Sequence, residues 1–190
     1  QVAAQPFAER DQSIGSRLVG RISHSFLEHS GLLAFAHRGD QDSGPENTMA
    51  AFEGAARLGF RYVETDVHAT ADGVLLAFHD PHLDRLTDQR GRIDRLEWSS
   101  LRHVRVAGTE PIARLEELLG EFPDLRVNIE PKSDVAVELL INTIRRTGAE
   151  MRVCVGSFSD RRLRRFRAVL PKVCTSMGRT ETTGARLYSI

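Results

Sequence analysis

The chain has little lysine, two cysteines, one tryptophan and no net charge, and each shortage narrows what it can be. Twenty-six basic residues balance twenty-six acidic ones over 190 residues, so no global field draws nucleic acid or an anionic membrane. No basic stripe interleaved with aromatics is present, which argues against a nucleic-acid partner. Cys154 and Cys174 are the only cysteines, and both lie in apolar runs. They read as free, buried, inert thiols; neither a disulfide framework nor a metal-type cysteine spacing exists. No apolar stretch approaches the roughly 20 residues that span a bilayer, so no transmembrane segment is expected. The polar N-terminus shows no signal-peptide core, and a cytoplasmic location is the expectation. Lys132 and Lys172 are the only lysines, against an arginine background that reads as coding bias. Against that background the position of Lys132, two residues after Glu130, is informative.

What is present reads as one globular domain. Hydrophobic residues make up 41% and charged residues 27%, ordinary values that allow a sizeable core. Residues 1 to about 30 are mixed and polar; Ser16 to Phe26 has the spacing of a short helix, and the segment as a whole reads as an extension. From Leu32 the pattern becomes regular. Leu32 to Ala36, Tyr62 to His68, Val74 to Phe78, Leu125 to Ile129, Met151 to Val155 and Lys172 to Ser176 are short apolar runs that predict strands. Between them the spacing predicts helices: one opening at Pro45 and ending at Gly59, one opening at Pro111, one capped by Ser133 or Asp134 and closed by Gly148, and one capped by Ser159. Residues 80 to 110 are charged and irregular, with a short helix near Ser99 to Val104. Gly178 to Ile190 has no clear period. Alternating strand and helix predicts an α/β fold with parallel strands, in a chain short of the roughly 250 residues of a full eightfold barrel. An incomplete barrel and a smaller open sheet both fit.

The chemistry-bearing residues sit at the ends of the apolar runs, where such folds place their sites. Glu64 and Asp66 are two apart on one strand and share a face. Buried together they need a counter-charge, and hard oxygen donors favour Mg²⁺ or Ca²⁺; an arginine-paired structural couple fits as well. Asn128, Glu130 and Lys132 alternate on a second strand, offering an acid for a metal and a cation for a phosphate, or a local ion pair. His37 precedes Arg38 and Gly39. His79 precedes Asp80, which can fix its tautomer. Near a bound phosphate the two imidazoles suit general acid and base; singly, either suits a structural role. His68 shares the face of Glu64 and Asp66 and reads as a supporting residue.

Taken together, His37-Arg38-Gly39, Pro45-Glu46-Asn47-Thr48, Glu64-Thr65-Asp66-Val67, Asp72-Gly73, His79-Asp80, Leu83 with Arg85 and Thr87, and Asn128-Ile129-Glu130-Pro131-Lys132 resemble the glycerophosphodiester phosphodiesterase family. The match runs from about Phe35 to Phe158, and its specificity lies in the order and spacing of the motifs. The resemblance implies a (β/α)₈ TIM-type barrel over 31–190, with an insertion at about 81–109 over its mouth. It implies a divalent metal, Ca²⁺ or Mg²⁺, on Glu64, Asp66 and Glu130; His37 and His79 as the acid–base pair; Arg38 and Lys132 as phosphate contacts; and Glu46 and Asn128 in support. The implied reaction is hydrolysis of a small-molecule glycerophosphodiester to sn-glycerol 3-phosphate and an alcohol through a cyclic phosphate.

The chain also departs from the family. Its last two strands, with a Trp-bearing segment and a Thr-Asp-x-Pro-like motif, have no counterpart here; Trp98 lies in the insertion. A barrel incomplete at its C-terminus is therefore the expectation, with open edges that invite self-association. Two further readings follow. A lysophospholipase D-like enzyme would place Leu83, Leu86, Ile93, Leu96 and Trp98 in an exposed apolar patch. A non-catalytic truncated barrel would keep only binding or assembly.

Overall fold

The computed structural model describes residues 24–188. In chain order its elements begin with β1 (Phe35–His37), α1 (Met49–Arg57), β2 (Tyr62–Ala69) and β3 (Leu75–Ala77). The segment that follows holds α2 (Trp98–Leu101), β4 (Arg105–Val106) and β5 (Glu110–Pro111). Then come α3 (Leu115–Glu121), β6 (Arg126–Pro131), α4 (Asp134–Thr147), β7 (Val153–Val155), α5 (Asp160–Val169), β8 (Cys174–Thr175) and α6 (Arg179–Tyr188). The helix expected over Ser16 to Phe26 falls mostly outside the described residues, and Ser25–Leu27 forms one 3₁₀ turn.

Strands β1, β2, β6, β7 and β8 lie side by side in that order, all parallel, and β3 pairs antiparallel with the far end of β2. Helices connect the parallel strands. This is the α/β barrel-type arrangement, with five parallel strands among the described residues. Register does the essential work for the site. Glu64 stands opposite His37 on one side and Asn128 on the other, and Asp66 stands opposite Glu130.

The two faces of β2 differ as alternation requires. Val63 and Val67 join Val127, Ile129, Val153 and Val155 in the main core, against Phe52 of α1, Leu118 of α3, Leu140 and Ile144 of α4 and Phe166 of α5. Each such buried side chain contributes roughly 1.5–3 kcal/mol. The opposite face starts with Tyr62, packed with Phe26, Cys154 and Cys174 as an apolar floor, and rises through Glu64 and Asp66 to His68. Cys154 and Cys174 are free and buried, as their apolar surroundings predict.

Local chemistry sets the helix boundaries. Ser133 caps α4 through Ala136 N–H, and Gly148 closes it with a left-handed φ of 62°. Ser159 caps α5 through Arg162 N–H. Both prolines expected to open helices instead precede them. Asn47 has φ 60°, which a helix cannot pass through, so α1 starts after it with Thr48 as the cap on Ala51 N–H. Pro111 belongs to the β4–β5 hairpin, and α3 starts after Arg114. The tail expected to lack a period forms α6; none of its residues is buried, so no apolar stripe announces it.

The insertion has its own core. Leu83 and Ile93 are buried with Phe78, Leu101 and Val106, and Leu86, Leu96 and Trp98 pack against them. Those side chains are internal packing, not the exposed lipid-facing patch of the lysophospholipase D-like reading. Among the described residues no helix is long and apolar enough to cross a membrane.

Gly39 ties the site loop to α1. Its φ is +86°, and an added Cβ would come within 2.7 Å of the Ala51 carbonyl carbon. Gly39→Ala is therefore expected to destabilise the fold by more than about 1 kcal/mol, because strain and clash add. Urea unfolding measures it, and an unchanged midpoint would contradict this packing.

Candidate active site

The strand ends gather the polar residues the sequence singles out. His37 ends β1, and its Nε2 lies 3.7 Å from Glu64 Oε2 on β2. Asp66 is buried, with Lys132 Nζ 2.6 Å from its Oδ1 and Arg38 Nε 3.4 Å from its Oδ2. Lys132 Nζ also donates to Glu130 Oε2 at 2.9 Å. Burial works against the Lys132 ammonium, but hydrogen bonds to Asp66 and Glu130 outweigh it and hold the pKa above the ordinary lysine value.

Glu64 is the exception among the acids. Burial first, and the neighbouring Asp66 carboxylate second, push its pKa up to about 7 despite Arg38 and Lys132. Glu64 Oε2, Asp66 Oδ2 and Asn128 Oδ1 are buried acceptors without a hydrogen-bond donor. Such groups are rare in a folded protein and call for an explanation.

Arg38 carries the strain of the loop. It has φ 61°, an unfavourable conformation for a residue with a Cβ, and its guanidinium reaches Glu46 Oε1 at 3.1 Å as well as Asp66. Arg85, in the insertion, grips Glu46 Oε1 at 2.7 Å and donates to Asp80 Oδ2 at 2.5 Å. These contacts lower the pKa of Glu46, chiefly through the Arg85 hydrogen bond. They also take Asp80 to about 2, again chiefly through Arg85. Asp80 Oδ1 in turn lies 2.6 Å from His79 Nδ1, which directs the other ring nitrogen away from it. His68 Nε2 meets the His79 carbonyl at 3.0 Å, and burial holds its pKa below the ordinary value. Thr65 donates to Asn47 Oδ1 at 2.8 Å, locking the loop that carries Glu46 onto β2.

The structure thus brings Arg38, Asp66, Glu130 and Lys132 into one ion-paired group. His37 and Glu64 stand beside it, and Glu46 joins it to Asp80 and His79 through Arg85. It does not assemble the expected carboxylate triad as such: among the described residues no three His, Cys, Asp or Glu side chains form a group able to hold a metal ion. Carboxylates this close repel, and Asp66 and Glu130 share Lys132, which lies between them. Three features have little or no signal in the sequence. The first is the bridging role of Arg85, whose only signal was its place in the motif order. The second is the Thr65–Asn47 bond. The third is a cleft of about 540 Å³ running from Glu64, Asn128 and Glu130 to Arg179, Thr183 and Arg186 of α6.

Residues 37–182 match the model of the glycerophosphoryl diester phosphodiesterase family. The chain belongs to that family. It is 46% identical over 170 residues to a probable glycerophosphodiester phosphodiesterase 2 of Mycobacterium tuberculosis, covering 88% of this chain and 63% of that protein. It thus spans less than two thirds of the relative's length. A crystal structure of a glycerophosphodiester phosphodiesterase from Agrobacterium tumefaciens superposes with TM-score 0.70 at 28% identity, over 75% of this chain and 65% of that one. An Oleispira antarctica phosphodiesterase in complex with the product sn-glycerol-3-phosphate does so with TM-score 0.69 at 25% identity, over 74% of this chain and 63% of the other. The family match reaches residue 182 and so takes in the start of α6, beyond the Phe158 limit of the sequence resemblance.

The family's acidic strand has a measurable cost here. A carboxyl raised from 4.5 to about 7 holds more protons folded than unfolded, so stability falls as pH climbs through that window and stays lower above it. In metal-free buffer, Glu64→Gln is expected to raise Tm relative to the parent at about pH 8, with the gap closing near pH 4. A gap of equal size at both pH values would contradict the burial of this charge.

Proposed function

We propose that this chain hydrolyses glycerophosphodiesters to sn-glycerol 3-phosphate and an alcohol, with the help of a divalent cation. The observation that carries the reading is the set of buried acceptor oxygens without donors, Glu64 Oε2, Asp66 Oδ2 and Asn128 Oδ1, on two adjacent strands beside His37. The product named in the Oleispira complex and the name of the Mycobacterium relative support the substrate class.

The donor type suits a hard cation, which would take the place of the Lys132 ammonium between Asp66 and Glu130. Glu64, Asp66 and Glu130 supply carboxylate oxygens from two adjacent strands, the donor type that Mg²⁺ and Ca²⁺ prefer. These three would hold it, with Asn128 and Glu46 in support. When bound, the cation supplies positive charge to the phosphoryl oxygens. Lys132 and Arg38 then bind the phosphate of the substrate, and their fixed charges offset what builds up during displacement.

The histidines move the protons. One takes the proton of the glycerol hydroxyl adjacent to the phosphodiester, and that oxygen attacks phosphorus. The bond from phosphorus to the departing alcohol breaks, and the other histidine protonates the alcohol oxygen. A water then opens the cyclic phosphate with the proton transfers reversed, so one water is consumed per turnover. Asp80 holds the His79 ring by its Nδ1, leaving Nε2 for the transfer.

The test is release of glycerol 3-phosphate from glycerophosphocholine. Turnover by the parent chain should vanish with EDTA and return with Ca²⁺ or Mg²⁺. His37→Ala and His79→Ala should each lose about 10²–10⁴-fold with an unchanged circular dichroism spectrum. Near-normal rates in either variant would refute the assignment of the pair. A folded parent with no metal-dependent turnover would support the binding-only barrel instead.

A further inference from the structure

The cleft is larger than the glycerol half of the substrate fills. Its volume of about 540 Å³ falls among those that enclose ligands of drug size, about 300–1,000 Å³, whereas the glycerol moiety has three carbons. Its two ends carry opposite charge. Glu64 and Glu130 line one end, and Arg179 and Arg186 of α6 line the other. Among the described residues no other charged one lines it.

Glu181 and Asp160 anchor α6. Glu181 accepts from Arg167 Nη1 at 2.6 Å and from Gly178 N–H at 2.8 Å. Asp160 accepts from the Thr180 hydroxyl at 2.8 Å. Arg167 further donates to Thr175 Oγ1 at 2.7 Å, tying the helix to the end of β8. The hydroxyls of Thr182 and Thr183 donate to the carbonyls of Gly178 and Arg179, so they present acceptors, not donors, to the cleft. Among the α6 side chains that line the cleft, donation to a ligand therefore falls to the arginines. Arg179 lies 5.6 Å from the ring centroid of Phe158, which is 70% exposed on the cleft wall. Stacking of this kind orients a guanidinium while leaving its edge for a planar or tetrahedral oxyanion.

We propose that α6 forms the subsite for the leaving alcohol and selects alcohols that carry an anionic group, a carboxylate or a second phosphate. This rests on the phosphodiesterase reading. The glycerol half of the substrate is uncharged and confined beside the histidine that deprotonates it, so only the alcohol half brings a variable charge. With the phosphodiester held at the acidic, metal-binding end, an alcohol that reaches across the cleft meets Arg179 and Arg186. An alcohol bearing only an ammonium meets the same charges and is disfavoured.

Glycerophosphoserine and glycerophosphoethanolamine differ by one carboxylate and make the direct comparison. The ratio of kcat/KM for serine over ethanolamine is expected to be about tenfold or more, as a charge-assisted contact allows. It should fall to within about twofold in the Arg179→Gln/Arg186→Gln double variant and be retained in large part by Arg179→Lys. The anchors Glu181, Thr180 and Arg167 are untouched in these variants, and helix content by circular dichroism confirms that α6 survives. Should turnover be too slow to rank, the ratio of Kd values from calorimetry serves in its place. Equal values for the two ligands in the parent, or a ratio unmoved by the double variant, would overturn the α6 subsite while leaving the phosphodiesterase reading intact. Neither turnover nor binding of either compound would overturn both.

Discussion

The site depends on one constraint: two carboxylates, Glu64 and Asp66, placed two residues apart on a strand that is covered on both sides. Their partners on the next strand, Asn128 and Glu130, stand directly opposite. Four oxygen-bearing side chains thus share one patch of a sheet face that is apolar below, at Tyr62 and Cys154. Burying such charge unpaired costs several kcal/mol per ion. Lys132 and Arg38 offset part of that cost, and Glu64 bears the remainder as a pKa of about 7. The surroundings follow from this arrangement. Arg38 is held in a left-handed conformation, Gly39 lets its loop press on α1, and Arg85 links the insertion to the loop through Glu46 and Asp80.

The same strand separates stability from chemistry. Val63 and Val67 face the helices and belong to the main core, while their sequence neighbours face the cleft. A change on one face is a packing change and a change on the other an electrostatic one, although the residues are adjacent in the chain. The polar acceptors left without donors lie only one residue from fully buried valines. That proximity is how a small α/β wall supports a charged site without losing its core.

Much of this was legible in the sequence because it rests on local rules. Alternation along Tyr62 to His68 predicted which side chains share a face. Ser133 and Gly148 bounded α4 as cap and stop, and the motif order from His37 to Lys132 pointed to the family. The misses have non-local causes. Pro45 and Pro111 looked like helix openers, but the left-handed Asn47 and the β4–β5 hairpin displaced both starts, and neither shows in a proline's own chemistry. Helix α6 has no buried residue, so it lacks the apolar period that reveals a helix; charged anchors to Arg167 and Asp160 hold it instead. Arg85 holds Asp80 five positions away and Glu46 39 positions away. The pairing of Lys132 with Glu130 could be read from their spacing, but its contact with Asp66 on the neighbouring strand could not.

Glu64, Asp66 and Glu130 are proposed to hold one hard divalent cation, with Lys132 giving up its place between Asp66 and Glu130. Calcium titration calorimetry on the whole chain tests it most directly. One equivalent should bind to the parent, with marked weakening in each of Glu64→Gln, Asp66→Asn and Glu130→Gln. Undiminished binding in the triple variant, or no binding by the folded parent at millimolar calcium or magnesium, would contradict it.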